Sequence, residues 1–204
     1  MPPAWRSLDQ KGENMRKTIQ VILGVAALAA SGCSSSLAYK PMADVAPATT
    51  SKVALQVKDA RPADKGGSEP GRVGTVRGSY GIPAAMTDAD PNVVNRTITE
   101  ATTDALRHSG VDVAAGSPHT LVASVKHYWM DGMVGYKGTI VVDYELQDSS
   151  GKTVWSAEVK GAGGGSEFMG MSNMANGIFE AALSELAHQA ATQFRSPEFQ
   201  RALQ

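Results

Sequence analysis

A single cysteine, Cys33, has the most distinctive chemistry in this chain of 204 residues. A lone thiol can form neither an internal disulfide nor a cysteine-based zinc cluster, so both roles are excluded. The cysteine lies in the stretch LAASGCSSS, directly behind an apolar run and in front of three serines. The sequence therefore indicates that the sulfur of Cys33 is covalently modified.

The residues before Cys33 have the three-part pattern of a secretory signal peptide. From Met15 the chain reads MRKTIQVILGVAALAASG, which comprises two cations, a mostly apolar run over residues 19–30, and small residues. This run is shorter than the roughly 20 residues that a permanent membrane-spanning helix needs. Residues 1–32 are thus predicted to be a signal peptide. Met15 is the expected true start, because residues 1–14 fit no part of the pattern.

The junction at residues 30–33 resembles a bacterial lipobox, with Ala30 where leucine is usual. The resemblance implies that Cys33 becomes the first mature residue and carries a covalent diacylglycerol and an N-acyl chain such as palmitate. Each buried CH₂ contributes about 0.8 kcal/mol, so several chains together anchor a protein durably. Ser34, a residue other than aspartate, implies an outer-membrane location facing the periplasm. The alternative is a signal peptide followed by a free cysteine.

Composition and charge narrow the class of protein and of partner. With 42% apolar and 19% charged residues, the chain has the composition of one ordinary globular domain. The whole chain has a net charge of −1. From Cys33 onward it has 15 Lys and Arg and 18 Asp and Glu, so the net charge of that part is −3. Binding to nucleic acid needs a basic patch to neutralise phosphates, and no segment supplies one. A nucleic-acid partner is therefore excluded.

The mature chain divides into a tether and one domain. Residues 33–51 are rich in Ser, Ala, Thr and Pro, which predicts a flexible lipidated tether, and residues 52–204 are predicted to form a single periplasmic α/β domain. Alternating apolar and polar residues predict strands at 52–57, 120–128, 138–147 and 153–160. Apolar residues at helical spacing predict helices at 91–108 and 173–195, followed by a short C-terminal helix. The glycine-rich residues 63–89 favour a long loop with an optional hairpin.

These elements predict an α/β fold of the α+β type. In the order β-α-β-β-β-α, two main helices on one face of an about four-stranded, mostly antiparallel sheet bury every apolar stripe in a two-layer sandwich. The first strand is expected to run parallel to the second across a right-handed helical crossover. That topology gathers the loops at 61–89, 129–137 and 161–172 at one end of the sheet.

Aromatic and methionine side chains are concentrated at this end. The candidate partner-binding residues are Tyr128, Trp129, Met130, Met133, Tyr136, Phe168, Met169 and Met171. Three interpretations stay open. The residues fill an irregular end of the core, or they form an adaptable surface for a protein or lipid partner. In the third, the thioethers of Met169, Met171 and Met174, spaced M-x-M-x-x-M, bind Cu(I).

No pattern of residues indicates catalysis, so the chain is predicted not to be an enzyme and to hold no cofactor besides its lipid. It contains neither G-x-S-x-G nor H-E-x-x-H. The four histidines fall on separate predicted elements: His108, His119, His127 and His188. GAGGGS at 161–166 lacks the Lys of a P-loop and favours a flexible strand end. Asp59 and Arg61 form either a ligand-facing charge pair or an exposed ion pair.

Several segments resemble the YajG-type lipoproteins of Gram-negative bacteria. They are DARP at 59–62, SGVDV at 109–113, KGTIVVDYELQDSSGKTVWS at 137–156 and SPEFQRAL at 196–203. The resemblance implies an envelope lipoprotein and supplies no catalytic residues. The expected function is that of an outer-membrane-anchored periplasmic lipoprotein, acting as a non-enzymatic interaction or accessory module with an envelope protein partner. The alternative is a periplasmic lipoprotein that binds a small ligand or Cu(I).

Overall fold

A computed structural model describes residues 33–43, 47, 51–165 and 171–204, all within one compact unit, Cys33–Gln204. The predicted signal peptide lies outside the described residues, as do most of residues 44–50 of the predicted tether. Phe168 and Met169 also lie outside them.

Strands dominate the described part of the chain. They are β1 Cys33–Ser35, β2 Ser51–Asp59, β3 Arg72–Arg77, β4 Pro83–Asp88, β5 Val111–Val113, β6 Thr120–Gly132, β7 Tyr136–Gln147 and β8 Thr153–Gly165. Seven of them form one mixed sheet that curls into half a barrel. The short strand β5 adds a parallel pairing to the start of β2.

The long strand β6 organises the sheet. One of its edges pairs with β7 in antiparallel fashion, and β7 pairs in the same way with β8. The other edge pairs in parallel first with β2 and then, near its C-terminal end, with β3. A hairpin turns β3 back into β4, and β1 pairs with β4 in parallel. Two strands consecutive in sequence, β2 and β3, therefore occupy successive parts of one edge.

Two main helices, α1 Val93–His108 and α2 Met171–Phe194, pack against one face of this sheet. The helices cover this face because it is apolar. Along β7 every second residue belongs to it, and these residues are fully buried: Ile140, Val142, Tyr144 and Leu146. A short helix, α3 Pro197–Ala202, closes the chain. The Ser196 hydroxyl caps it by accepting a hydrogen bond from the Phe199 amide at 3.2 Å.

The predicted four-stranded, mostly antiparallel sandwich is wrong. The sheet has seven main strands, and three of its strand pairings, β2–β6, β3–β6 and β1–β4, are parallel. The hairpin that the sequence allowed within residues 63–89 is present as β3 and β4, whereas β1 lies where a tether was predicted. Neither RVGTVR nor PAAMTD alternates cleanly between apolar and polar residues, so the sequence left this hairpin optional. Pairing with partners distant in sequence stabilises these strands. The expected parallel pairing of the first strand with the strand at Thr120 is confirmed.

Candidate functional site

Residues 33–43, here called the N-terminal strap, lie against the sheet and α1. Leu37 is 1% exposed, and its amide donates a hydrogen bond to Asp88 Oδ2 at 2.7 Å. Its carbonyl accepts one from Arg96 Nη2 at 2.9 Å. The sequence predicted a flexible tether here. The structure differs because one buried leucine and its paired backbone groups fix the strap in place.

One carboxylate, that of Asp104 on α1, holds the middle of the N-terminal strap. Its Oδ2 accepts hydrogen bonds from the Tyr39 hydroxyl at 2.6 Å and from the Met42 amide at 2.8 Å. Burial, together with the hydrogen bond to Asp104, raises the pKa of the Tyr39 hydroxyl. The phenol therefore stays protonated and remains a donor at neutral pH.

The first residue of the strap lies near one end of the sheet, here called the upper end. The β6–β7 turn and the β3–β4 turn are both at this end, and Gly165 of β8 pairs there with Tyr136. Cys33 is opposite Met86 in β4, and β1 runs parallel to β4, away from the upper end. The amino end of β1 therefore faces the upper end.

The aromatic and methionine residues of β6 separate onto two faces. The sequence placed the end of this strand at Tyr128, but β6 continues to Gly132. Tyr128 and Met130 are fully buried on the helix-bearing face. The Tyr128 ring stacks on that of Phe179 with centroids 4.8 Å apart, and its hydroxyl accepts a hydrogen bond from Thr97 Oγ1 at 3.3 Å. Burial raises the pKa of Tyr128.

Trp129 lies on the opposite face of the sheet, here called the helix-free face because none of α1, α2 and α3 packs on it, although the single 3₁₀ turn Ala63–Lys65 does. Its ring is 8% exposed, with Lys65 Nζ at 5.3 Å and the Arg72 guanidinium carbon at 5.6 Å from its centroid. Both cations lie within cation–π range of the ring. Met133 is half-buried in the turn after β6, and Tyr136 packs against the core.

Of the remaining members of the predicted cluster, Phe168 and Met169 lie outside the described residues. Met171 begins α2, and Met174 is buried. Since Met169 lies outside the described residues, the proposed Cu(I) ligands stay a prediction. In the described part of the chain, no group of three or more His, Cys, Asp or Glu side chains is arranged to hold a metal ion.

Arg61 bridges the gap between β2 and β3 along β6. Its side chain is 2% exposed and makes a two-point contact with the Asp59 carboxylate, with Nε–Oδ1 at 2.9 Å and Nη2–Oδ2 at 2.8 Å. Nη1 also donates to the Arg72 carbonyl at 2.8 Å and to the Tyr128 carbonyl at 3.3 Å. The pair is thus neither a ligand-facing charge pair nor an exposed ion pair. The guanidinium of Arg61 instead donates hydrogen bonds to backbone carbonyls of β3 and β6, in the gap that separates β2 from β3.

The glycine-rich run after Lys160 continues strand β8. A Cβ on Gly161 would lie 2.0 Å from the Ala182 carbonyl oxygen, and one on Gly163 would lie 2.1 Å from that of Ile178. Such distances are impossible, so only glycine lets α2 rest on the strand backbone. The expectation of a flexible strand end was therefore wrong, because the run is part of the packed sheet.

A groove of about 580 Å³ lies beside the strap on the outer side of α1. The residues that line it are Ala38, Tyr39, Pro41, Arg96, Thr99, Glu100, Thr103, Asp104 and Arg107. Sequence reasoning missed this groove, because half of it is formed by a segment that was predicted to be a tether. The signal that could have found it is the single apolar Leu37 within an otherwise small and polar stretch.

Sequence reasoning also missed three exposed apolar side chains at the upper end. Tyr80 and Ile82 lie in the β3–β4 turn, and Val134 lies in the β6–β7 turn. The signal in the sequence is that neither turn, GSYGIP at 78–83 nor GMVGY at 132–136, contains a charged residue.

Comparison with known proteins shows the fold and no more. No family model and no curated protein matches the chain. Protein XCC0632 from Xanthomonas campestris, of family DUF330, is 17% identical with a TM-score of 0.53, over 78% of this chain and 95% of that one. This similarity shows a shared fold alone.

Two further solved structures are more weakly similar. A minor lipoprotein from Acinetobacter baumannii is 11% identical with a TM-score of 0.45, over 71% of this chain and 92% of that one. The PelC dodecamer from Paraburkholderia phytofirmans is 22% identical with a TM-score of 0.36, over 70% of this chain and 95% of that one. Similarity at this level carries no argument about the present chain. None of the helices among the described residues has the length and apolar composition needed to cross a bilayer.

Proposed function

We propose that the chain is an outer-membrane lipoprotein of the YajG type, anchored through lipids on Cys33, whose periplasmic domain is a non-enzymatic interaction or accessory module of the cell envelope. The sequence pattern before Cys33 supports the anchor. The structural observation that carries the proposal is the pairing of β1 with β4, which fixes Cys33 relative to the fold. A lipid on a residue held in a sheet would orient the whole domain, whereas a lipid on a long tether would leave its orientation free.

Anchoring at the upper end would leave the helix-free face directed sideways into the periplasm. Besides Trp129, this face carries Lys126 and Asp143, which form an ion pair at 3.6 Å, and Glu145 and Glu158 line a shallow pocket there. Charges of both signs around a nearly buried aromatic residue suit the polar surface of a protein partner. We assign the interaction role to this face.

A second candidate function is the binding of a small periplasmic ligand. The observation that favours it is the groove beside α1, whose volume of about 580 Å³ falls within the range of small-molecule sites. Arg96 and Arg107 on one helix, with Glu100 and Asp104 between them, would present both charge signs to such a ligand.

The anchor is tested by metabolic labelling with an alkyne fatty acid in cells that produce the full chain. The wild-type protein should incorporate the label and fractionate with the outer membrane, whereas Cys33→Ser should incorporate none. Ser34→Ala is the matched control and should label like the wild type. Absence of label from the wild-type protein would refute the anchor.

The interaction role is tested by photo-crosslinking in the same cells. A photoreactive residue at Lys58 or Glu158, on the helix-free face, should give a discrete cross-linked protein. The same residue at exposed Glu185 on α2 serves as the control. Equal cross-linking at all three positions would argue against a dedicated face. A ligand that protects Tyr39 from modification but leaves these cross-links unchanged would instead favour the second candidate.

A further inference from the structure

Exposed apolar side chains are concentrated at the upper end of the sheet. Four large apolar residues among those described are exposed, namely Tyr80 at 101%, Val134 at 87%, Ile82 at 65% and Val154 at 39%. The first three lie at the upper end, and Val154 lies at the opposite end, near the start of β8. Single exposed apolar residues are ordinary on protein surfaces, but a group at one end of a sheet marks an interaction site.

The two turns that carry these residues are uncharged and are flanked by cations. Exposed Arg77 ends β3 just before one turn, and exposed Lys137 follows the other. Lysine and arginine beside an apolar surface place their charges at the level of lipid phosphates. Tyrosine is likewise enriched at membrane interfaces, because it combines an apolar ring with a polar hydroxyl.

The backbone of the β3–β4 turn presents the tyrosine outward. Tyr80 has φ 58°, a left-handed conformation that a bulky residue rarely adopts. The Gly78 amide donates to the Ile82 carbonyl at 2.8 Å, and the Gly81 amide donates to the Gly78 carbonyl at 3.1 Å. These bonds hold the turn closed. A strained residue with no packing contact is a recurring sign of function.

Both turns extend beyond Cys33 in the direction of the upper end. Cys33 is level with Met86, and Pro83 is three residues further along β4, about 10 Å at 3.3 Å per residue. On β6, Met130 is level with Gly74 of β3 and so with Met86 of β4. Gly132 lies two residues, about 7 Å, beyond Met130 toward the upper end. If lipids hold Cys33 at the membrane surface, both turns reach the depth at which interfacial segments insert, about 5–10 Å.

We propose that Tyr80, Ile82 and Val134 insert into the lipid interface beside the anchor, with Arg77 and Lys137 facing the phosphates. This inference rests on the proposed lipidation of Cys33. The β6–β7 turn is three strand spacings from β1, about 15 Å away. Contacts with the bilayer at Cys33 and at both turns prevent the domain from rotating about its anchor, so the helix-free face keeps one orientation.

The experiment uses the lipidated protein in vesicles of phosphatidylethanolamine and phosphatidylglycerol. Acylated Cys33 has no free thiol, so an introduced cysteine is a unique labelling site in this chain. An environment-sensitive fluorophore is attached at Ile82→Cys or Val134→Cys, with Val154→Cys as the control. Probes at 82 and 134 should be quenched at least twofold by nitroxides on lipid acyl chains and little by aqueous iodide. The probe at 154 should show the reverse.

Three results would overturn the inference. If the probes at 82 and 134 respond to iodide like the probe at 154 while mass spectrometry shows acylated Cys33, the inference fails and the anchor stands. Shielding from both quenchers would show that protein, and not lipid, covers the turns. If Cys33 carries no lipid, the proposed function fails together with the inference.

Discussion

Arg61 shows how a single side chain can complete a sheet. Between the last residue of β2 and the first pair of β3, the edge of β6 has no strand partner, and the guanidinium occupies that gap. Its contact with Asp59 neutralises a cation that is almost entirely buried. Removing one partner of such a pair typically costs about 3–5 kcal/mol, because the other charge is left without compensation. DARP is thus a structural element of this fold.

Glycine at position 161 should be indispensable for packing. Gly161→Ala places a methyl group against the backbone of α2, so the free energy of unfolding should fall by about 1–3 kcal/mol. Gly164→Ala is the matched control in the same run, since its Cβ would meet nothing closer than 3.8 Å and should change stability by less than about 0.5 kcal/mol. Urea unfolding of both variants measures the difference. Equal effects would contradict the proposed close packing.

At the scale of elements, the N-terminal strap is the least regular part of the fold. Only its first three residues are in a strand, and the rest is held by Leu37 and by side chains of α1. Because Asp104 accepts two hydrogen bonds from the strap through one oxygen, release of this carboxylate should free the middle of the strap without disturbing the sheet.

Asp104→Ala should therefore release the strap locally. Hydrogen exchange at the Met42 amide should accelerate at least tenfold, since its acceptor is lost, while exchange in the middle of β7 should stay unchanged. Glu100→Ala, one turn earlier on α1, is the control because Glu100 contacts only Arg96, at 3.6 Å, among the described interactions. Uniform acceleration across the domain would show that the strap is part of the global folding unit.

Local sequence pattern predicted some elements well and others not at all. The strict alternation of Ile140, Val142, Tyr144 and Leu146 located β7 correctly, and Ser196 with Pro197 located α3. The strands β1, β3 and β4 carry no such pattern, since their neighbours in the sheet come from distant parts of the chain. The candidate surfaces were missed for the same reason. Tyr39 meets Asp104 across 65 residues, a contact that no local spacing reveals.

At the scale of the whole molecule, the helix-bearing face of the sheet carries buried tyrosines whose hydroxyls reach α1. Tyr144 is fully buried, and its hydroxyl lies 3.0 Å from Thr102 Oγ1 on α1. Burial raises the pKa of Tyr144 to about 12, above the ordinary value of 10.0. The native state therefore keeps this proton at a pH where the unfolded chain has lost it.

The domain should consequently lose stability in alkaline solution. Each tyrosine that keeps its proton only in the native state lowers the free energy of unfolding by about 1.4 kcal/mol per pH unit above pH 10. For Tyr144 this stabilisation is complete below pH 10 and is lost as the pH rises toward 12. Tyr144→Phe should unfold with a shallower pH dependence in this range, measured by urea titration at several pH values. An unchanged slope would contradict the burial of this hydroxyl.

The bare backbone contact between α2 and β8 also sets the direction of the helix. Gly161 lies under Ala182 and Leu186, and Gly163 lies under Ile178 and Ala182, so each step of two residues along the strand matches four along the helix. Two strand residues advance about 6.6 Å and four helical residues about 6.0 Å. These advances agree, so the two axes are nearly aligned, and because the helix numbers fall as the strand numbers rise, they run antiparallel. The spacing of two glycines thereby aligns a helix of 24 residues along β8.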